Sequence, residues 1–554
     1  MLTMWDSCNR YFKDVFPILR DMARRGIPID EGKRQELKQL ILTEECRVSA
    51  AIGGHVPDGL SGHEPKGGLK RKPKVECECG WEGREDHLHS RGVLFDQSQA
   101  DVIEYETLAA AAGMIEIEVE IKEEEKCSCL KAERGHCVWC AGSGIIPSGS
   151  MVRRWARPVP FNSNSWQQVI RLIRLLGHKV PTHSKRTTQE GEPAETTEMK
   201  ELERLSQKTR HPIYSLLIEK RMLTKTLGTY VTGWEPSSDG AIHTTYTFQT
   251  ATWQTSSRSP NVQNGLKHGK TDFQKRLAHS FNSMQSAFPG NVLINFDFKS
   301  FHALTTAHDF NLPDYARLAR IDIHSFVACQ FLRLPECQGL WERDDQDMKD
   351  LFRRLRQNEE FAACRDVPAK QTILGIQFGR GPISIYTMYR EYFESQSEAK
   401  AIHSLVYSLF PRLRVAQDEV KQKAAEDHRL VNKFGAIRHF WDVQRWDRNK
   451  ARWIAGDQAE EAVAFLPASH AFGHVRDCLL KMREKGYDEK FGLCNSIHDS
   501  FLFHCPLALV EDCKGLIKEI METPSSTLIY SKMAPNGLVV EAEATSGQSM
   551  AELH

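Results

Sequence analysis

The sequence predicts an α+β protein built from several subdomains, and three observations carry that prediction. Apolar residues recur at helical spacing in long stretches of the chain. Two short apolar runs, some two hundred residues apart, each meet a polar break at an aspartate. Between the first helical stretches lies a segment rich in Gly, Pro, charge and paired cysteines. At 554 residues the chain exceeds the ~250–300 residues at which a single core stops growing.

Residues 11–22 repeat apolar side chains at helical spacing until Gly26 and Pro28 interrupt them. A second helical pattern covers residues 33–47. From about residue 53 to 147 the character changes, and Ile115-Glu116-Ile117-Glu118-Val119-Glu120-Ile121 alternates as a strand with one wet face. Helical patterns return at residues 165–176 and 213–231, with residues 181–197 read as a polar connection rich in breakers. Farther on, Asn291-Val292-Leu293-Ile294-Asn295-Phe296-Asp297-Phe298 reads as a buried strand ending in a carboxylate. Residues 369–378 read as an amphipathic helix. Residues 491–497 and 501–504 read as two strands around a tight turn at His498-Asp499.

The chain carries 73 basic and 73 acidic side chains for a net charge of +0. A nucleic-acid partner is not advertised by that balance, nor excluded, because the placement of charge decides. Basic runs stand at residues 66–74 and 353–356, and an acidic run at 116–125. No run reaches the ~18–20 apolar residues of a membrane span. The first residues lack a basic then apolar leader, so a cytoplasmic protein with no membrane partner is expected. An odd count of 15 cysteines argues against a disulfide framework.

Asp297 and Asp499 each sit where an apolar strand meets a polar break. Two such carboxylates suit paired magnesium ions, because magnesium takes few protein ligands and completes its shell with phosphates and water. The alternative is two strand-end aspartates that cap loops. On a helix, Lys370, Leu374 and Phe378 recur every four residues and share a face. A cation at its start suits a triphosphate and an aromatic ring at its end suits a base. Pro368 suits the first turn of that helix, whose N-terminus attracts anions.

These blocks resemble motifs A, B and C of family A DNA polymerases, in order. Motif A resembles Asp297-Phe298-Lys299-Ser300-Phe301-His302, motif B residues 365–379, and motif C Ile497-His498-Asp499-Ser500. Residues 249–264 resemble the stretch before motif A, and Asp322-Ile323-His324 the element after it. Phe161-Asn162-Ser163-Asn164-Ser165 and Leu217-Ile218-Glu219-Lys220-Arg221 resemble thumb segments. The resemblance implies a right-hand polymerase with an antiparallel palm sheet and helical fingers and thumb. It implies extension of a primer on a DNA template with dNTPs.

It further implies that Asp297 and Asp499 bind two Mg2+ and that Lys370 contacts the triphosphate. His324 and Arg365 would touch phosphates. Leu374, Phe378 and His302 would surround the incoming nucleotide. Asn261, Gln263, Asn264 and His498 would lie along primer and template. Leu374 and Phe378 have a plain alternative as core, and Asn261 and Gln263 as turn closers.

The departures are informative. His302 stands where the family usually has glutamate, and Phe378 where it has tyrosine; both favour deoxynucleotides over ribonucleotides. Ser500 follows Asp499 in the form typical of single-subunit RNA polymerases, which keeps an RNA polymerase or primase-like enzyme as the alternative. A silent nucleic-acid-binding relative is the third reading. Arg365 falls one residue early, with Asp366 in the expected place, and Pro368 is read as letting Arg365 reach phosphates from a loop. Nothing resembling exonuclease carboxylates precedes the thumb-like start, so proofreading is expected from a separate polypeptide, together with other replication proteins of a phage-like system.

Cys127-Ser128-Cys129 and Cys137-Val138-Trp139-Cys140 have the paired spacing of a structural zinc site. Cys77 and Cys79 with His87 or His89 form a second candidate set, or else join one of the later pairs. The expected organisation is thumb-base helices at 1–52, a zinc-binding insertion at 53–157 and thumb helices at 158–240. Palm residues 241–310, fingers 311–429 and palm residues 430–554 complete it.

Overall fold

The computed structural model describes residues 12–56, 161–187, 192–247, 250–266, 271–448 and 451–553, with the backbone of six short strands between residues 74 and 156. Two compact units result, Gln39–Leu227 and the remainder, Met1–Lys38 with Gly228–His554.

In the first unit, helix Trp166–Leu175 begins at Ser165, whose hydroxyl accepts from the Gln168 amide, satisfying one of the orphan donors of a helix start. Its stripe Val169, Ile170, Leu172 and Ile173 is buried. Helix Pro212–Thr226 buries Ile213, Tyr214, Leu217 and Leu223, and widens into a π-turn at Leu227–Thr232, so the helical pattern at 213–231 is α-helical in its first part alone. The connection expected at 181–197 holds an antiparallel strand pair, Thr182–Thr187 with Pro193–Glu195. Its threonines favour strand, and Pro193 is tolerated as a first strand residue. Strand Ile115–Glu120 forms as its alternation predicts and pairs antiparallel with Met151–Ala156.

The second unit is organised by a four-stranded antiparallel sheet. Its strands are β1 (Asn291–Phe298), β2 (Leu493–Ile497), β3 (Ser500–Pro506) and β4 (Ala542–Gly547), in the order β2-β3-β1-β4. Side chains alternate across the sheet. One face carries Val292, Ile294, Phe296, Phe298, Phe501, Phe503 and Cys505 into the main core, where helices Phe301–Asp309, Ala459–Glu484 and Val510–Glu522 pack. Each fully buried phenylalanine there contributes roughly 1.5–3 kcal/mol. The other face is split. Leu293, Cys494 and Leu502 pack with Met550 and Leu553 in a small cluster, while Asn295, Asp297, Glu543 and Thr545 open into a cavity of about 490 Å³. A single strand thus anchors the sheet with one side and furnishes a polar cleft with the other.

Among the described residues no helix is long and apolar enough to cross a membrane.

Candidate active site

Strand pairing brings the two distant aspartates together. Asp297 is directly opposite Ser500 on β3, and Asp499 is the residue before it, in the two-residue turn that joins β2 to β3. That turn holds His498 at φ +54°, where glycine is the ordinary choice. On its other side Asp297 stands opposite Glu543 of β4. Three carboxylates therefore gather at one end of the sheet.

Asp297 is open to the cleft, yet its pKa is raised to about 7, first by the surrounding protein that displaces water and then by Asp499 and Glu543. Like charges at close range disfavour ionisation of each other. Lys299 lies 3.7 Å from Glu543 with both side chains exposed, a pairing that contributes little, and among the described residues no cation pairs with Asp297 or Asp499. The group thus holds unneutralised negative charge and suits a bound cation. Among the described residues no three His, Cys, Asp or Glu side chains converge as a complete chelate; a site completed by substrate phosphates and water does not require one. Glu543 was missed in the sequence. Its signal is the alternation Glu541-Ala542-Glu543-Ala544, a strand with one wet face.

His302, from the helix after β1, meets Phe378 edge-on with ring centroids 6.1 Å apart. Burial lowers the His302 pKa, although Asp499 pulls it upward. The blocks around Asp297 and Phe378 therefore share one site.

The helix bearing Lys370 differs from expectation. Helix Glu359–Cys364 starts at Asn358, whose side chain caps the Phe361 amide. It then runs through a π-turn at Arg365–Ala369, with Pro368 inside, into Lys370–Gln377. The wider turn accommodates a proline that would disrupt an α-helix interior. Lys370 consequently lies within a continuous helical path, and the free amides expected beside it stand a few turns upstream. Lys370 is exposed, Leu374 is half-buried, and Phe378 is the half-buried C-cap.

Arg365 does not reach out from a loop. Its Nε donates to Asp322 Oδ2 at 2.9 Å and its Nη2 to Oδ1 at 3.2 Å, and its Nη1 pairs with Asp366. Asp322 also accepts from Arg356 and from the Ser325 hydroxyl at 2.6 Å. Burial pushes the Asp322 carboxyl up, but Arg365, Ser325 and Arg356 overcome it and hold the pKa at about 2. The guanidinium is a structural clamp. His324, two residues on, is pushed down to about 4 by burial, with Arg365 and Lys370 adding to the effect. Its Nδ1 is buried without a hydrogen-bond partner. The ring is neutral at pH 7, a hydrogen-bonding group rather than a cation.

Two of the residues expected along a nucleic-acid strand do internal work. Asn261 Oδ1 accepts from the Gln263 and Asn264 amides at 3.0 and 3.2 Å, closing a turn. Gln263 is buried and donates to Thr255 Oγ1 and to the Ser496 carbonyl at 2.6 Å, bracing the strand that leads to Asp499. Asn264 and His498 are exposed, with His498 and Gln263 both lining the cleft. Cys77, Cys79, His87, His89, Cys127, Cys129, Cys137 and Cys140 lie outside the described residues.

Residues 150–351 match the model of DNA polymerase family A. Over those residues the chain is similar to family A DNA polymerases. DNA polymerase I of Caldicellulosiruptor bescii is 26% identical over 398 residues, covering 69% of this chain and 40% of that protein. The thermostable DNA polymerase I of Thermus thermophilus is 25% identical over 401 residues, covering 70% and 41%. The chain thus spans about two fifths of the length of these curated relatives. Among solved structures, the POL domain of Pol1 from M. smegmatis, in complex with DNA primer-template and dNTP, is similar with a TM-score of 0.62 at 17% identity. That likeness covers 98% of this chain and 70% of the other, and extends the polymerase-domain fold beyond the residues that the family model matches.

Proposed function

We propose that the protein is a template-directed DNA polymerase that adds dNTPs to a primer 3′ end. The observation that carries this reading is the meeting of Asp297 and Asp499 at one end of the sheet, beside a cleft that Asp297, His498 and Glu543 line. Asp297 and Asp499 would hold magnesium, which when bound supplies activation of the 3′-hydroxyl and stabilisation of the leaving pyrophosphate. Lys370, exposed on its helix, would meet the triphosphate. Neutral His324 would donate a hydrogen bond to a phosphate oxygen. Phe378 would stack near the nascent pair, and Leu374 would lie beside the sugar. His302, held against Phe378, would fill the space that a 2′-hydroxyl requires. Exposed Asn264 and His498 would face primer or template, with Asn261 and Gln263 positioning them.

Ser500 speaks less for RNA synthesis than its identity suggests. Its hydroxyl donates to the Ile497 carbonyl at 2.9 Å and serves the turn. Glu543 supplies a third carboxylate from β4, which supports a DNA polymerase whose acidic residue after Asp499 has been replaced from another strand. The palm, fingers and thumb assignments, a phage source and a cytoplasmic setting belong to the same proposal. The spacing of Cys127, Cys129, Cys137 and Cys140 supports a structural zinc ion, checked by metal analysis of purified protein.

Primer extension on a defined template with dNTPs alone, then NTPs alone, tests the function. Extension with dNTPs is expected; extension confined to NTPs overturns it.

A further inference from the structure

Residues 428–456 carry seven Lys and Arg against two Asp in a chain of zero net charge. The same segment holds Trp441, Trp446 and Trp453, which are 73%, 50% and 63% exposed. Trp446 and Trp453 face each other across the hairpin Gln444–Asp447 with Arg452–Ala455, so both project from one face, with rings 5.7 Å apart and at 74°. Trp441 lies between His428 and His439, nearly parallel to the latter at 9° and 5.9 Å.

The base of the hairpin is fixed. Gln458 Oε1 accepts from the Trp441 and Asp442 amides at 2.7 and 3.0 Å, and Gly456 lies so near Asp442 that a Cβ would fall 2.3 Å from the Asp442 carbonyl oxygen. Arg438 and Arg445 are paired with Glu461 and Asp457, while Arg448 and Arg452 are exposed at the tip. Tryptophan pairing across the hairpin stabilises it, but that contact leaves both residues at least half exposed. Exposed aromatic faces on a rooted, basic element are what single-stranded nucleic acid requires, because bases stack on rings while cations follow the backbone.

We propose that this tryptophan-bearing element is a stacking platform for single-stranded DNA. The partner rests on the polymerase reading, under which the strand is the unpaired template. Binding itself is measured without catalysis, by fluorescence anisotropy of labelled dT16 with the full chain. Trp441→Ala is expected to weaken binding by about 5- to 150-fold, from the ~1–3 kcal/mol of one base–ring stack, with an unchanged unfolding midpoint. Trp446→Ala with Trp453→Ala is expected to lose affinity likewise. Trp446→Phe with Trp453→Phe, which keeps the ring faces, is expected to stay within about 3-fold of the parent. Unchanged dT16 binding in Trp441→Ala and the double alanine variant overturns the proposal. So does an equal loss on a blunt duplex, or a tryptophan dependence seen with rU16 but not dT16. A chain that extends no primer yet shows tryptophan-dependent dT16 binding fails the polymerase reading and keeps this one.

Discussion

Two carboxylates of this protein have opposite fates. Asp322 is buried among partners and held at about 2 by Arg365, Ser325 and Arg356. Asp297 is open to a cleft and raised to about 7, with Asp499 and Glu543 adding to the effect of desolvation. The first charge is satisfied within the fold and ties the start of helix Ile323–Leu332 to the π-turn that leads into the helix of Lys370. The second is left for something outside the chain to satisfy. The contrast separates residues that build the site from residues that act in it, although both belong to segments that resemble polymerase motifs.

Removing the satisfied acid tests the first half of the contrast. Asp322→Ala leaves Arg365 without its main partner and is expected to lower stability by about 3 kcal/mol, read by chemical denaturation. Because the folded pKa lies below the ordinary carboxylate value of 3.8, Asp322 stabilises the fold above about pH 4 and loses that contribution as pH falls through about 2. The gap between parent and variant should therefore be widest above pH 4 and narrow toward pH 2.

Lys370→Ala sharpens the contrast from the cationic side. With Arg365 committed to Asp322, exposed Lys370 is the motif B cation proposed to face a triphosphate, and its loss is expected to slow single-nucleotide incorporation ~10²–10³-fold with little change in unfolding midpoint. Gln263→Ala removes two buried hydrogen bonds behind the Asp499 turn and is expected to cost about 1–3 kcal/mol, measured by thermal unfolding. The smallest effect is expected at the sugar: His302→Gly should raise ribonucleotide use about 10-fold relative to dNTPs, by competition in primer extension.

The sheet was legible in the sequence because apolar runs interrupted by polar residues are what a sheet with one buried face requires, and Asn291–Phe298 forms as read. The turn at His498-Asp499 was equally plain. What the sequence concealed were choices made by packing. Glu543 reaches Asp297 through a strand pairing of β4 with β1, and the two are nearly 250 residues apart. The π-turn at Arg365–Ala369 allowed a proline to sit inside a helix that one-dimensional rules end there. Arg365 is drawn inward by Asp322, a partner 43 residues away. Asn261 and Gln263 show how polar residues that look fit for a ligand can be absorbed by the backbone around them.

The central claim is that Asp297 and Asp499 together hold the cations of nucleotidyl transfer. Its most direct test is single-turnover addition of one dNTP to a primer-template while Mg2+ is titrated, with the parent, Asp297→Asn and Asp499→Asn. The account predicts saturable Mg2+ dependence in the parent and a loss of ~10³-fold or more in each folded variant. Incorporation by both variants at the parental rate and Mg2+ midpoint would contradict it.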